Sequence, residues 1–181
     1  MGPRHVVTAR HCIRDGQWLR FAPGYNGRNG LGEAYVTQVF RSSMLLPGRD
    51  CDFRDDCAVL VVDEDRMGYR FEYFGAQYAG PGMINTVHFG HAGYPGNLGG
   101  AQRMYRDGMQ VHRVDGCDAT GPLDTNAGIT GGRLGNPLFI WFLDGGSYVF
   151  GVASAGSSVE LMFTSGTNFV DHVILARQVS P

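Results

Sequence analysis

The chain has 181 residues, 43% of them hydrophobic and 18% charged, enough to bury a core in one domain or two small packed subdomains, which argues against a disordered chain. A formal charge of −2 and a pI near 6.3 argue against a nucleic-acid or anionic-membrane partner, because phosphate binding needs a concentrated basic face. The 28 glycines break the chain into short segments, and no apolar run is long enough to cross a bilayer as a helix.

Along the chain, short apolar stretches alternate with clusters of glycine, proline, asparagine and aspartate, the rhythm of an all-β protein. Strands are expected at Arg4–Ala9, Glu33–Phe40, Cys57–Val62, Ile84–Phe89, Leu138–Leu143 and Ser147–Ser154. Asp144-Gly145-Gly146 joins the last two and supplies the positive-φ residues of a tight hairpin. From Asn168 onward, Phe169, Val170, Val173, Ile174 and Arg177 follow helical spacing, with Thr167 or Asn168 as N-cap. The glycine-rich stretch Tyr78–Gly82 is the expected boundary between an N-terminal half, 1–80, and a C-terminal half, 81–181. Trp18 and Trp141 lie in apolar segments and read as core aromatics.

Four cysteines, Cys12, Cys51, Cys57 and Cys117, lack the paired spacing of a zinc site, and Cys51 with Cys57 would close a short disulfide loop. Such a bridge suits an oxidising compartment. A secreted protein is expected, although the opening Met-Gly-Pro-Arg-His-Val-Val carries no signal segment. His88 and His91 lie three apart on a predicted strand, so they point to opposite faces and read as packing or surface residues, not as metal ligands. The acidic clusters Asp50, Asp52, Asp55 and Asp63, Glu64, Asp65 offer the oxygens that calcium takes, and they read as solvated loops. No metal and no cofactor is expected.

Val6-Val7-Thr8-Ala9-Arg10-His11-Cys12 ends a β-branched strand on a histidine, where a rigid scaffold aims the ring into a cleft. Asp56-Cys57-Ala58-Val59-Leu60 sets an aspartate directly before a buried strand, where a carboxylate can hold an imidazole in one tautomer. A glycine-rich loop follows downstream. VVTARHC resembles the VLTAAHC box of the chymotrypsin-like (trypsin-like) serine proteases, DCAVLVV resembles their D-x-A-[LV]-x-x segment, and the order histidine, aspartate, nucleophile loop is that family's. Gly93-Tyr94-Pro95-Gly96 and the run Gly100–Tyr105 resemble the bacterial V8-like, glutamyl-endopeptidase branch.

That resemblance implies two packed antiparallel β-barrels with a C-terminal helix, and a cleft between them for a peptide or protein. It implies His11 and Asp56 as catalytic base and orienter, and Ala153, Ser154, Ala155 and Gly156 as the strand that holds the substrate backbone. The first barrel, carrying His11 and Asp56, is expected to lack its N-terminal strand or strands, because only ten residues precede the histidine. The branch's glutamate preference does not carry over, since this chain has Ala153 where those enzymes place histidine.

The nucleophile loop departs from the family pattern G-x-S-G-[GS]-P, and two frames fit. In one, Asp124–Gly132 matches D-T-x-x-G-x-S-G-G, Thr130 takes the serine's place, and the Gly128 and Thr130 amides form the oxyanion hole. In the other, Gly132–Phe139 matches G-x-S-G-S-P-L-F without a gap, and Leu134 takes it. Both frames lack the serine. The expected function is therefore that of a serine-protease homologue, inactive or impaired, with an endopeptidase using Thr130, His11 and Asp56 as the alternative.

Overall fold

The computed structural model of the protein describes all residues except 28–29, 44–49, 64–71, 97–101, 115–116, 118–120 and 126–132. Strands β1 (His5–Thr8), β2 (Arg20–Phe21), β3 (Ala34–Arg41) and β4 (Ala58–Val62) form an antiparallel sheet in the order β1-β4-β3-β2. All five residues of β4 are buried, because it is a central strand with a core on each face. Val59 joins a cluster under the C-terminal helix, and Val62, of opposite parity, joins Ala34, Val6, Phe21 and Val36.

A short β5 (Gly75–Ala76) leads into the second sheet, pairing parallel to its longest strand. That sheet contains β6 (Phe89–Gly93), β7 (Met104–Met109), β8 (His112–Arg113), β9 (Leu123–Thr125), β10 (Pro137–Trp141), β11 (Ser147–Gly156) and β12 (Leu161–Ser165), in the order β7-β6-β10-β11-β12-β9-β8. Its interior is filled by Phe89, Leu123, Leu138, Phe150, Leu161 and Phe163, with Phe89 and Phe150 meeting edge to face at 5.2 Å. Both sheets curl into half-barrels.

Helix α1 (Thr167–Val179) is the last element. Its stripe of Phe169, Val173 and Ala176 packs on Cys57 and Val59 of the first sheet and on Phe139, Val149 and Val152 of the second. One core thus belongs to both sheets, and this fixes the cleft between them. The expected all-β architecture with a terminal helix is the one found.

Several local expectations need correction. The stretch Ile84–Phe89 is not a strand: a 3-10 turn at Pro81–Met83 and a positive φ of 60° at Asn85 break it, and β6 begins only at Phe89. The helix is preceded by Gly166, which caps without a side chain, while Asn168 donates its amide to Asp55 Oδ1 at 3.0 Å. Asp55 is accordingly buried, not solvated. Of Asp144, Gly145 and Gly146 only Gly145 has a positive φ. Trp18 and Trp141 are not core residues: they are 94% and 59% exposed, and Trp141 packs across the edge of Phe139 at 4.6 Å.

The disulfide also differs. Cys51 pairs with Cys117, 66 residues away, and not with Cys57. Cys57, directly before β4, is buried in the core under the helix, and its thiol is free. Burial pushes that thiol up to about 12.

The two histidines of the HFGH segment part company. His88 is exposed, whereas His91 lies inside the second barrel, 2% exposed, with its Nδ1–H donated to the Pro137 carbonyl at 2.9 Å. Burial, followed by the charges of Arg133 and Arg106, lowers its pKa to about 4 despite that hydrogen bond. Since the unfolded ring titrates near 6.5, the unfolded chain takes up a proton that the folded chain refuses. Stability is therefore expected to fall as pH drops from about 6.5 to about 4, by about 3 kcal/mol in total from this residue. His5, lowered in the same direction by burial, adds to the slope, so the check is a difference. Urea midpoints measured across that window should depend less steeply on pH in His91→Gln than in the natural chain, and equal slopes would refute the assignment.

Candidate active site

The register of β1 against β4 assembles the first half of the site. Thr8 pairs with Ala58, so the residues just after β1 and just before β4 emerge side by side at one end of the sheet. A 3-10 turn at Arg10–Cys12 follows β1, and another at Asp50–Asp55 delivers Asp56 to β4. The Arg10 N–H donates to the Asp56 carbonyl at 3.3 Å, stitching the two turns together.

Across this junction the Asp56 carboxylate, 3% exposed, gathers three donors. The His11 backbone N–H reaches Oδ1 at 2.9 Å, the His11 ring reaches Oδ2 through Nδ1 at 2.6 Å, and the Ser154 hydroxyl also donates to Oδ2. A buried carboxylate so satisfied stays in place and presents one fixed acceptor to the ring. With Nδ1 carrying the proton towards Asp56, Nε2 is left with a lone pair. The ring remains 38% exposed, so that lone pair belongs to a reachable base.

Cys12 Sγ lies 3.6 Å from His11 Nε2. Surrounding protein and the negative Asp56 hold this thiol above its ordinary value, so it stays protonated and serves as the donor to Nε2. The contact escapes sequence reading because adjacent residues normally diverge; only the tight 3-10 turn folds the two side chains together.

Of the nucleophile loop, Thr130 and Gly128 lie outside the described residues. Leu134 is described. It sits at the tip of a turn from Arg133 to Asn136, closed by the Asn136 N–H and side-chain amide on the Arg133 carbonyl at 3.3 and 2.8 Å. Gly135 follows with a φ of 80°, a conformation that favours glycine, and a Cβ there would strike the Thr8 hydroxyl. The turn therefore abuts β1 at Thr8 and Ala9, two residues ahead of His11. Leu134 itself is 36% exposed and contributes to no core cluster.

Strand β11 secures the same turn from the other side. The Gly135 N–H donates to the Ala153 carbonyl at 2.6 Å, and the Ala153 N–H to the Asn136 carbonyl at 2.8 Å. Ala153 thus has its backbone occupied, and Ser154 is spent on Asp56. Sequence reading grouped Ser154 with the substrate strand, and nothing in its spacing reveals the contact with a residue 98 positions away. Ala155 and Gly156 open onto a cavity of about 540 Å³ that Phe53, Ser157, Glu160 and Met162 also line. Among the described residues no group of three or more histidine, cysteine, aspartate or glutamate side chains is placed to hold a metal.

No family model and no curated protein sequence matches the chain. Solved structures do. A Glu endopeptidase in complex with MPD aligns over 98% of this chain and 83% of that one, with a TM-score of 0.78 and 19% identity. The protease Anisep from Arthrobacter nicotinovorans aligns over 97% and 84%, with a TM-score of 0.76 and 18% identity. The thermostable serine protease AL20 from an extremophilic microorganism aligns over 99% and 87%, with a TM-score of 0.73 and 18% identity. The fold is chymotrypsin-like, two half-barrels and a terminal helix.

Proposed function

We propose that the protein is a serine-protease homologue that keeps the histidine–aspartate pair but lacks a nucleophile, and that it binds peptide or protein segments in the cleft without cleaving them. The observation that carries this reading is the turn at Leu134–Gly135. It is the gapless counterpart of the family's serine–glycine pair, it packs against the strand that leads to His11, and its tip is an aliphatic side chain. Leucine offers no atom to attack a carbonyl and no proton for Nε2 to accept. A bound segment would lie along Ala155 and Gly156, whose end of β11 faces the open cavity, and not along Ala153, whose backbone groups are already used. The Cys51–Cys117 disulfide favours an oxidising, extracellular setting.

The competing reading makes Thr130 the nucleophile, with His11 and Asp56 behind it and the Gly128 and Thr130 amides as oxyanion donors. The β-methyl of threonine restricts χ1 and crowds the attacking geometry, which argues for poor turnover at best. Incubation with unfolded, fluorescently labelled casein separates the two. The natural chain is expected to leave casein intact while shifting its anisotropy on binding. Cleavage that disappears both in His11→Ala and in Thr130→Val would overturn the proposal in favour of the threonine enzyme.

A further inference from the structure

The turn that carries Leu134 also carries a buried charge without a counter-ion. Arg133 is 5% exposed, its Nε has no hydrogen-bond partner, and its Nη2 rests on the thioether of Met104. A guanidinium taken out of water normally faces a carboxylate or a bound anion. Among the described residues no carboxylate stands within ion-pair distance of it, and residues 126–132, which precede it, contain neither aspartate nor glutamate. A second arginine adds to the charge. Met104 and Arg106 share one face of β7, and Arg106 stands opposite His91 on β6. The next residue, Asp107, accepts from the Gly108 N–H at 2.9 Å and forms no ion pair with Arg106. Burial, and then the charge of Arg106, lowers the pKa of Arg133. His91 supplies a complementary group. Its Nδ1–H is donated to the Pro137 carbonyl, so the neutral ring keeps a lone pair on Nε2, and that nitrogen is buried and without a partner. Arg133 and Arg106 are the two charges that act on this ring.

The cluster thus combines unsatisfied donors on Arg133 with an unsatisfied acceptor on His91. An anion without a proton satisfies only the donors. An oxyanion that keeps a hydroxyl satisfies both, because its charged oxygens accept from the guanidinium while its O–H donates to Nε2. We propose that Arg133, Arg106 and His91 form a binding site for a hydroxyl-bearing oxyanion of the hydrogen phosphate class, entered past Arg106 on the exposed edge strand β7. Met104, an unbranched and adaptable side chain, gives way from the guanidinium as the ion enters. Binding makes and breaks no covalent bond. The Arg133 carbonyl closes the turn through Asn136, so an ion held by the Arg133 side chain ties the Leu134 turn to β6 and β7. The inference is independent of which residue stands at the serine's place.

Calorimetric titration of the full, disulfide-intact chain with sodium phosphate at neutral pH, against sodium sulfate at matched ionic strength, is the test. At that pH inorganic phosphate always carries a hydroxyl and sulfate carries none. The expected result is saturable binding of one phosphate per chain, with sulfate at least about tenfold weaker because it leaves Nε2 unsatisfied. Arg133→Gln should lose at least about tenfold in phosphate affinity, since a charged hydrogen bond is removed. His91→Phe, which lacks the acceptor, should bind phosphate and sulfate equally. Near-ultraviolet circular dichroism checks the fold of each variant. Arg106 is exposed, so Arg106→Gln keeps the test available if Arg133→Gln does not fold; it should weaken both anions and leave the preference for phosphate. No saturable phosphate binding, equal binding of phosphate and sulfate by the natural chain, or undiminished phosphate affinity in folded Arg133→Gln or in Arg106→Gln would overturn the site and leave Arg133 as a buried cation in contact with Met104 only.

Discussion

Leu134→Ser is expected to give the protein casein-cleaving activity. In the described part of the site Asp56 holds the His11 ring at 2.6 Å, the ring is partly exposed, and Gly135 gives the turn beside Leu134 a positive φ of 80°. In subtilisin, loss of the serine nucleophile costs about 10⁶ in kcat. A serine placed in a site without co-adapted neighbours should recover only part of that, on the order of 10²-fold over the natural chain. The gain should vanish when His11→Ala is added, since an alcohol without its base is a poor nucleophile at neutral pH. Leu134 lies outside every core cluster and is partly exposed, so the substitution should leave the urea midpoint nearly unchanged. A folded Leu134→Ser protein with no turnover above the natural chain would count against Leu134 as the serine's counterpart, and would return attention to Thr130.

The second large effect concerns the bridge between Cys51 and Cys117. These residues are 66 apart in sequence, and a closed loop of that length restricts the unfolded chain enough to be worth about 4 kcal/mol in the chain-entropy account. Cys117→Ser should therefore lower the free energy of unfolding by about that amount, measured by urea denaturation, and dithiothreitol should do the same to the natural protein. The consequence reaches the site. Cys51 belongs to the 3-10 turn at Asp50–Asp55, and that turn sets Asp56 against His11. Loosening it should also free the His11 ring, because the carboxylate would no longer hold it. A loss below about 1 kcal/mol in Cys117→Ser would show that the reduced chain is already restrained by other means.

The remaining elements divide according to the range of the interaction that decides them. Strand periodicity, the VVTARHC and DCAVLVV segments and the helical spacing after Asn168 are local patterns. They were enough to place β1, β4, β10, β11 and α1 and to identify His11 and Asp56 as a pair to be brought together. That neither frame of the glycine-rich loop places a serine at the nucleophile position was equally legible, because it is a matter of residue identity. Ile84–Phe89 was misleading because its apolar residues imitate a strand, while Pro81, Gly82 and the positive φ of Asn85 impose a turn that strand propensity cannot resist.

What only the tertiary structure decided depends on segments far apart in the chain. The Ser154 hydroxyl meets Asp56 across 98 positions, the Gly135 turn closes against Thr8 and Ala153, and Cys51 finds Cys117 instead of its near neighbour Cys57. Each follows from how the two sheets share the core under α1. The same holds for Trp141: its segment is apolar and it shares a face with buried Phe139, but it stands at the end of β10 beyond the core under α1, and burial is settled by what packs against a face and not by the character of the residue. Composition and motif thus determined the architecture and the histidine–aspartate pair, because they act through local propensity and residue chemistry. The packing of two sheets around one helix decided the disulfide and the third donor to Asp56, because those contacts exist only once the chain has closed on itself.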